Sequence, residues 1–379
     1  MKRITIVATL AAVAAGLVAD GQAAAAKPQA GGRNTSTAHI AVFASGFNNP
    51  RGLTFGPDGN LYVAEGGLGG SHSTVGKCRQ AAGAAAPYTG STHNPVKGGR
   101  ISRVTPGGVR TTVVRALPSS QTSPALGSLV SGVSSVAFIG HHLYALLAGA
   151  GCSHGVPGVP NGVIRVGRGG SWSVIANLSA FQRSHPVKHP DTEDFEPDGT
   201  WYSMTAVGRA LYPMDSNHGE LDRVTPRGRI SRVVDVSAQV GHIVPTAIAR
   251  LGGQPGHPTF VIGNLGLFGP ADGTTANEHV YTLTPNRQLR LRASGLEQVV
   301  GLAFRQGRLY ALELSTTPGG PTPATGAIVR LQHGRPVQTV ASGLTFPTAM
   351  TVGPDGAFYV SERGLGFGPG QGRILRITL

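Results

Sequence analysis

The sequence predicts an all-β chain, a six-bladed β-propeller of four-stranded antiparallel blades. Three observations carry this: one phrase is written near both ends, a second-strand motif recurs six times, and the last copy of the repeat lacks its fourth strand. RGLTFGPDGNLYVAE occupies residues 51–65, and TAMTVGPDGAFYVSE, built the same way, occupies 348–362. Each begins a unit of a strand, a PDG turn, a second strand, a loop, a third strand, a Gly-rich turn and a fourth strand. Alternating apolar residues between turn residues are the pattern of short antiparallel strands.

The second strand returns as LYALL (143–147), LYPMD (211–215), TFVIG (259–263), LYALE (309–313) and FYVSE (358–362). EPDGTWYSM (196–204) imitates the opening phrase, but GELDRVTPRGRISRVV, which supplies third and fourth strands, follows LYPMD, so LYPMD is the second strand. The third strands carry Arg103, Arg165, Arg223, Arg330 and Arg376 at one position, with Thr282 in the remaining copy. A lone recurring arginine reads first as a structural partner. Units of about 50 residues that each need neighbours to bury their faces describe a propeller.

The chain ends at GRILRITL, a third strand, while AVFASGF (41–47) copies the fourth strands QTVASGL (338–344) and LRASGL (291–296). The N-terminal strand is therefore expected to complete the last blade and close the ring. Ahead of it, Lys2 and Arg3 precede the apolar run ITIVATLAAVAAGLV and the small-residue segment GQAAAA, the pattern of a secretory signal cut near Ala26. The expected organisation is a signal peptide over 1–26, a flexible leader over 27–38 and one propeller domain over 39–379, secreted and not membrane-spanning.

The formal charge is +14, and 27 of the 32 basic residues are Arg. They are spread one or two to a segment, which argues against nucleic acid and leaves contact with anionic cell-wall polymers open. Cys78 and Cys152 fall in the matching loops of blades one and two, so a disulfide between neighbouring loops is expected in an exported chain.

Long loops follow the second and fourth strands, which marks that face as the working one. There the second strands end in Glu65, Asp215, Glu313 and Glu362, with Asn264 just past the end of the fourth copy and Arg51 close to Glu65. Three readings stand. The carboxylates hold Ca²⁺ or another divalent cation, supply acid and base for hydrolysis or lactone opening, or cap backbone N–H groups and pair with adjacent arginines such as Arg51 or Arg363. DTEDFE (191–196) reads as a solvated entry loop.

SGFNNPRGLTFGPDGNLYVAEGG, LYPMDSNHGELDRVTPRG and LTFPTAMTVGPDGAFYVSERGLGFGPGQGRILRI together resemble the ScyD/ScyE family of exported propeller proteins over nearly the whole mature chain. The resemblance implies the fold and export, and pigment chemistry only distantly. In the third blade, Asp215-Ser216-Asn217-His218-Gly219 replaces the Asp-Ala-Gly-Gly-Asn string expected of the family. The function expected is non-catalytic binding of a small molecule, glycan or protein on the loop-bearing face. The alternative is a divalent-cation-dependent hydrolase or lactonase using Glu65, Asp215, Glu313 and Glu362.

Overall fold

The computed structural model describes residues 38–379, apart from 83–86, 92, 123–128, 191, 193, 255, 267–277 and 333–336. The expected signal segment, and all of the leader but Ala38, lie outside these residues. The described chain forms seven four-stranded antiparallel sheets, an arrangement consistent with a propeller. No helix among the described residues is long and apolar enough to cross a membrane.

Six of the sheets are the six sequence repeats. Sheet one runs Pro50–Phe55, Leu61–Glu65, Gly99–Val104 and Arg110–Leu117, and sheet two Val133–Ile139, His142–Leu147, Gly162–Val166 and Trp172–Asn177. Sheet three is Trp201–Val207, Ala210–Asp215, Glu220–Val224 and Ile230–Asp235, and sheet four Pro245–Gln254, His257–Asn264, Val280–Leu283 and Leu289–Ala293. Sheet five is Val299–Arg305, Arg308–Glu313, Gly326–Arg330 and Gln338–Leu344. Sheet six is Ala349–Val352, Phe358–Glu362 and Gly372–Thr378, with His39–Phe47 paired antiparallel to Gly372–Thr378. The TWYSM segment is thus a first strand and LYPMD a second strand. The seventh sheet joins the short strands His72–Ser73, Thr89–Ser91, Ser119–Gln121 and Val130–Ser131, all between the second strand of sheet one and the first strand of sheet two.

First strands pack against one another in the order one to six, and the first strand of sheet six packs on that of sheet one. Apolar clusters fill the spaces between consecutive sheets: Ile101, Val136 and Ile164 between one and two, and Leu146, Trp201 and Leu211 between two and three. Phe47, Leu61, Tyr359 and Ile374 sit between six and one. Sheets two-sided in burial need both neighbours, so stability is distributed around the assembly.

Register corrects the sequence alignment of the fourth copy. Pro50 lies opposite Glu65, Trp201 opposite Asp215, Val299 opposite Glu313, and Pro245 opposite Asn264. Asn264 rather than Gly263 therefore occupies the acid's place. Likewise Val261, not Phe260, lies opposite Thr282, where Tyr62, Tyr144, Tyr310 and Tyr359 face Arg103, Arg165, Arg330 and Arg376.

Phe47 is fully buried while Val42 is 53% exposed. Phe47→Ala is expected to lower the unfolding free energy by about 3–5 kcal/mol, and Val42→Ala by less than about 0.5 kcal/mol. Chemical denaturation measures both, and equal small losses would mean that His39–Phe47 is not seated in sheet six.

Candidate functional site

Sheets one, four, five and six are each entered from the preceding sheet by a short crossover, and the second-strand ends of these sheets hold those crossovers. Glu65 accepts the backbone N–H of Asn48 at 2.6 Å, Glu313 that of Glu297 at 2.8 Å, and Glu362 that of Thr345 at 2.7 Å. Asn264 reverses the polarity, donating from Nδ2 to the carbonyl of Ile243 at 2.9 Å, and accepts from the N–H of His279 at 2.8 Å. The following residue in each crossover, Asn49, Gln298, Phe346 or Val244, has φ between 45° and 53°. That left-handed conformation is uncommon without glycine and an outlier for a β-branched residue. The side-chain hydrogen bond and a backbone bond from the far side, Gly66 N–H to Asn49 O or Leu265 N–H to Val244 O, hold it in place.

The acids' cationic partners are not the expected ones. Glu65 pairs with Arg100 at 2.7 Å and accepts the Ser102 hydroxyl, and Glu362 pairs with Arg373. Both arginines come from the facing third strand. Arg51 and Arg363, the neighbours read from the sequence, go elsewhere: Arg51 toward the central cavity and Arg363 over the Phe367 ring. Glu313 faces Ala327 and has no cation within ion-pair distance among the described residues, and burial pushes its pKa up to about 7. Asp215 accepts the N–H groups of Asn217 and His218, contacts the His218 ring at 3.1 Å and receives the Gln182 amide. Each candidate acid is thus committed to its own sheet and the segments adjoining it, and among the described residues no three His, Cys, Asp or Glu side chains gather as a metal-binding group.

Sheet three concentrates charge. Glu220 faces Asp215 and bonds Arg232 at 2.5 Å, and Asp222, also fully buried, lies two residues on. Burial and the neighbouring Asp222 push Glu220 up to about 8, and burial pushes Asp222 up to about 7. Burial alone would lower the His218 and His154 rings, but Asp215 for the first and Glu196 for the second outweigh it, and both stand above the ordinary imidazole value. Glu196 is itself buried, accepts from Tyr88 at 3.2 Å and from Thr200, and contacts His154 at 3.1 Å. The DTEDFE segment therefore ends in an internal network rather than in solvent.

The first strands of all six sheets surround a cavity of about 260 Å³ on the loop-bearing side. Its wall comes from a recurring bulge. Between Pro50 and Leu53, Val133 and Ser135, Trp201 and Ser203, Pro245 and Ala247, and Val299 and Gly301, the first strand carries one residue more than its partner. The extra residues Arg51, Ser134, Tyr202, Thr246 and Val300 all line the cavity, because a bulge re-aims a side chain out of the pleat. Tyr202 reaches from sheet three to sheet six and donates to the Thr348 carbonyl at 3.0 Å, forming a floor, and burial pushes its phenol up to about 12. Leu129, Val130 and Tyr88 close the cavity from the seventh sheet and its connections. That layer is tied down by a Cys78–Cys152 disulfide, as the sequence leads one to expect.

Arg51 donates to the Val130 carbonyl at 2.5 Å. Among the described residues no carboxylate lies within ion-pair distance of it, and burial lowers its pKa. Apart from Arg51, and Asp194 of the DTEDFE segment, none of the cavity's wall residues is singled out by the sequence. Their only signal is the bulge, which alternation does not reveal.

No protein-family model matches the chain, and no curated protein sequence matches it. Among solved structures the chain is similar to a gluconolactonase of Xanthomonas campestris, with 9% identity, TM-score 0.52 and 91% of each chain covered. It is also similar to an aldose sugar dehydrogenase of Streptomyces coelicolor solved with bound PQQ, with 13% identity, TM-score 0.51, and 90% of this chain and 99% of that one covered. A structural-genomics protein of Bacteroides thetaiotaomicron matches with 11% identity and TM-score 0.53 over 90% of this chain and 76% of its own. The gluconolactonase and the sugar dehydrogenase are β-propeller-like, and the likeness is one of fold.

Because Glu220, Asp222 and Glu313 bind protons more tightly folded than unfolded, their contribution is complete below about pH 4 and is lost as pH rises toward 7–8. His154 and His218, raised in the fold, act in the same direction. The melting temperature is expected to fall between pH 5 and pH 8, and Asp222→Asn to make that fall shallower. A melting curve independent of pH over this range would contradict the assignment.

Proposed function

We propose that the chain is a six-bladed propeller, its ring closed by His39–Phe47, that works as an exported, non-catalytic binding protein for a small organic anion. The six inter-sheet clusters and the first-strand contacts support the ring, and the disulfide and the apolar N-terminal run support export. Arg51 carries the ligand reading. A guanidinium half-buried in a cavity walled by Tyr88, Asp194, Trp201, Tyr202 and Leu314, with no carboxylate within ion-pair distance among the described residues, is costly unless an anion joins it. A carboxylate or phosphate on Arg51 with a flat apolar body against the tyrosines satisfies both features. At about 260 Å³ the cavity lies near the lower end of metabolite pockets, about 300–1,000 Å³.

In this reading Glu65, Asp215, Glu313, Glu362 and Asn264 are the frame that sets the cavity's shape. The alternative, a divalent-cation-dependent hydrolase or lactonase, needs those carboxylates released from their crossovers to share an ion. Commitment of each acid to backbone N–H groups favours binding over hydrolysis.

Calorimetry with benzoate, cinnamate and indole-3-acetate, and with their neutral amides, tests the proposal. Acids should bind and amides should not. Arg51→Leu should weaken acid binding about 30-fold or more while the protein stays folded. Equal binding of acid and amide, or lactone hydrolysis abolished by chelator and restored by Ca²⁺, would overturn it in favour of the alternative.

A further inference from the structure

The turn-bearing side, opposite the cavity, has a chemistry of its own. In sheet six the recurring third-strand arginine, Arg376, is neutralised by Asp355 at 2.8 Å. Its counterparts in sheets one and two are not. Arg103 lies opposite Tyr62 with its Nε buried and without an acceptor, and Arg165 meets the His142 ring at 3.0 Å. Among the described residues no carboxylate stands within ion-pair distance of Arg103, Arg115, Arg165 or Arg168.

These four arginines share one groove. A hollow of about 560 Å³ between sheets one and two is lined by Arg103 and Arg115 and by the Gly167–Gly170 turn. Through Gly167 it adjoins a second hollow, of about 480 Å³, lined by Arg165, Arg168 and Trp172. The turns of sheets two to five add Arg209, Arg227, Arg229 and Arg287 and contain no Asp or Glu. Arginines that are one or two to a segment in the sequence thus accumulate on one side of the fold.

We propose that this groove docks an anionic glycan polymer carrying phosphodiester groups. Guanidinium forks bind phosphate oxygens in pairs, which suits arginine over lysine. Trp172 offers a sugar ring an apolar floor, and hydroxyls from Thr111, Thr112 and Ser171 line the same walls. Among the described residues Trp172 and the His142 imidazole, the latter engaged by Arg165, are the rings lining the two hollows, whereas stacking of successive nucleic-acid bases calls for successive free aromatic platforms. The proposal is independent of the cavity and of Arg51.

The test uses the whole mature protein and immobilised poly(glycerol phosphate) glycopolymer, with neutral dextran and single-stranded DNA as comparisons. R115Q/R165Q/R168Q removes three exposed charges from the groove, and K77Q/K97Q/K188Q removes three exposed charges from the loop-bearing side. Wild type should hold the phosphate polymer and release it in high salt. The groove variant should bind about tenfold more weakly and the lysine variant within about twofold of wild type. Hydrogen exchange should show polymer-dependent protection at residues 165–173 of the wild type. Equal weakening in both variants would reduce the effect to net charge and overturn the proposal. Tighter binding of DNA through the same arginines, or absence of protection in the groove, would also overturn it.

Discussion

The structure depends on how each crossover is held where the chain passes from one sheet to the next. Four crossovers place a residue other than glycine in the left-handed region, at Asn49, Val244, Gln298 and Phe346. Such a residue costs about 1–3 kcal/mol and persists only where its surroundings over-determine it. The side chain that ends the second strand supplies that constraint by bonding the peptide group just before it, through a carboxylate in three cases and an amide in one. Burial is what gives these bonds their weight. Glu65 and Glu362 are almost fully shielded, so each also needs a guanidinium from the third strand, and one contact joins three strands and a crossover.

The cavity is built by the first strands themselves. In sheets one to five the first strand carries one residue more than its partner and the bulge turns a residue inward, beside a held crossover in sheets one, four and five. Frame and binding wall are therefore adjacent but chemically distinct: acids point back into the sheets, while Arg51, Ser134, Tyr202, Thr246 and Val300 face the centre. The two sides of the assembly diverge as well. Buried carboxylates and the disulfide-tied layer lie on the loop-bearing side, and arginines without acid partners lie on the turn-bearing side.

Much of this is legible in the sequence, and the reasons are local. Period-two alternation between Gly and Asp turns marks the strands, and AVFASGF matches the fourth strands closely enough to place an N-terminal strand beside the last one. Matching loops identify Cys78 and Cys152 as partners. What alternation does not encode is register. A single inserted residue shifts the fourth copy, so Asn264 is read as lying beyond the acid's place when it occupies it, and Arg51 is read as a partner of Glu65 when the bulge turns it to the cavity. Arg100 and Arg373 pair with the acids because they lie opposite them on the third strand, a relation absent from linear proximity. The basic groove is hidden for the same reason, since its arginines come from three separate stretches of chain.

The central claim is that the recurring acids hold the frame while the bulge residues form the site. Glu65→Gln and Glu362→Gln variants separate these roles when melting temperature and small-anion binding are measured on the same samples. Each variant should lose about 3 kcal/mol of stability, and whatever protein remains folded should bind the anion as the parent does. Unchanged melting with loss of binding, or of a cation-dependent activity, would contradict the account and return the acids to the site.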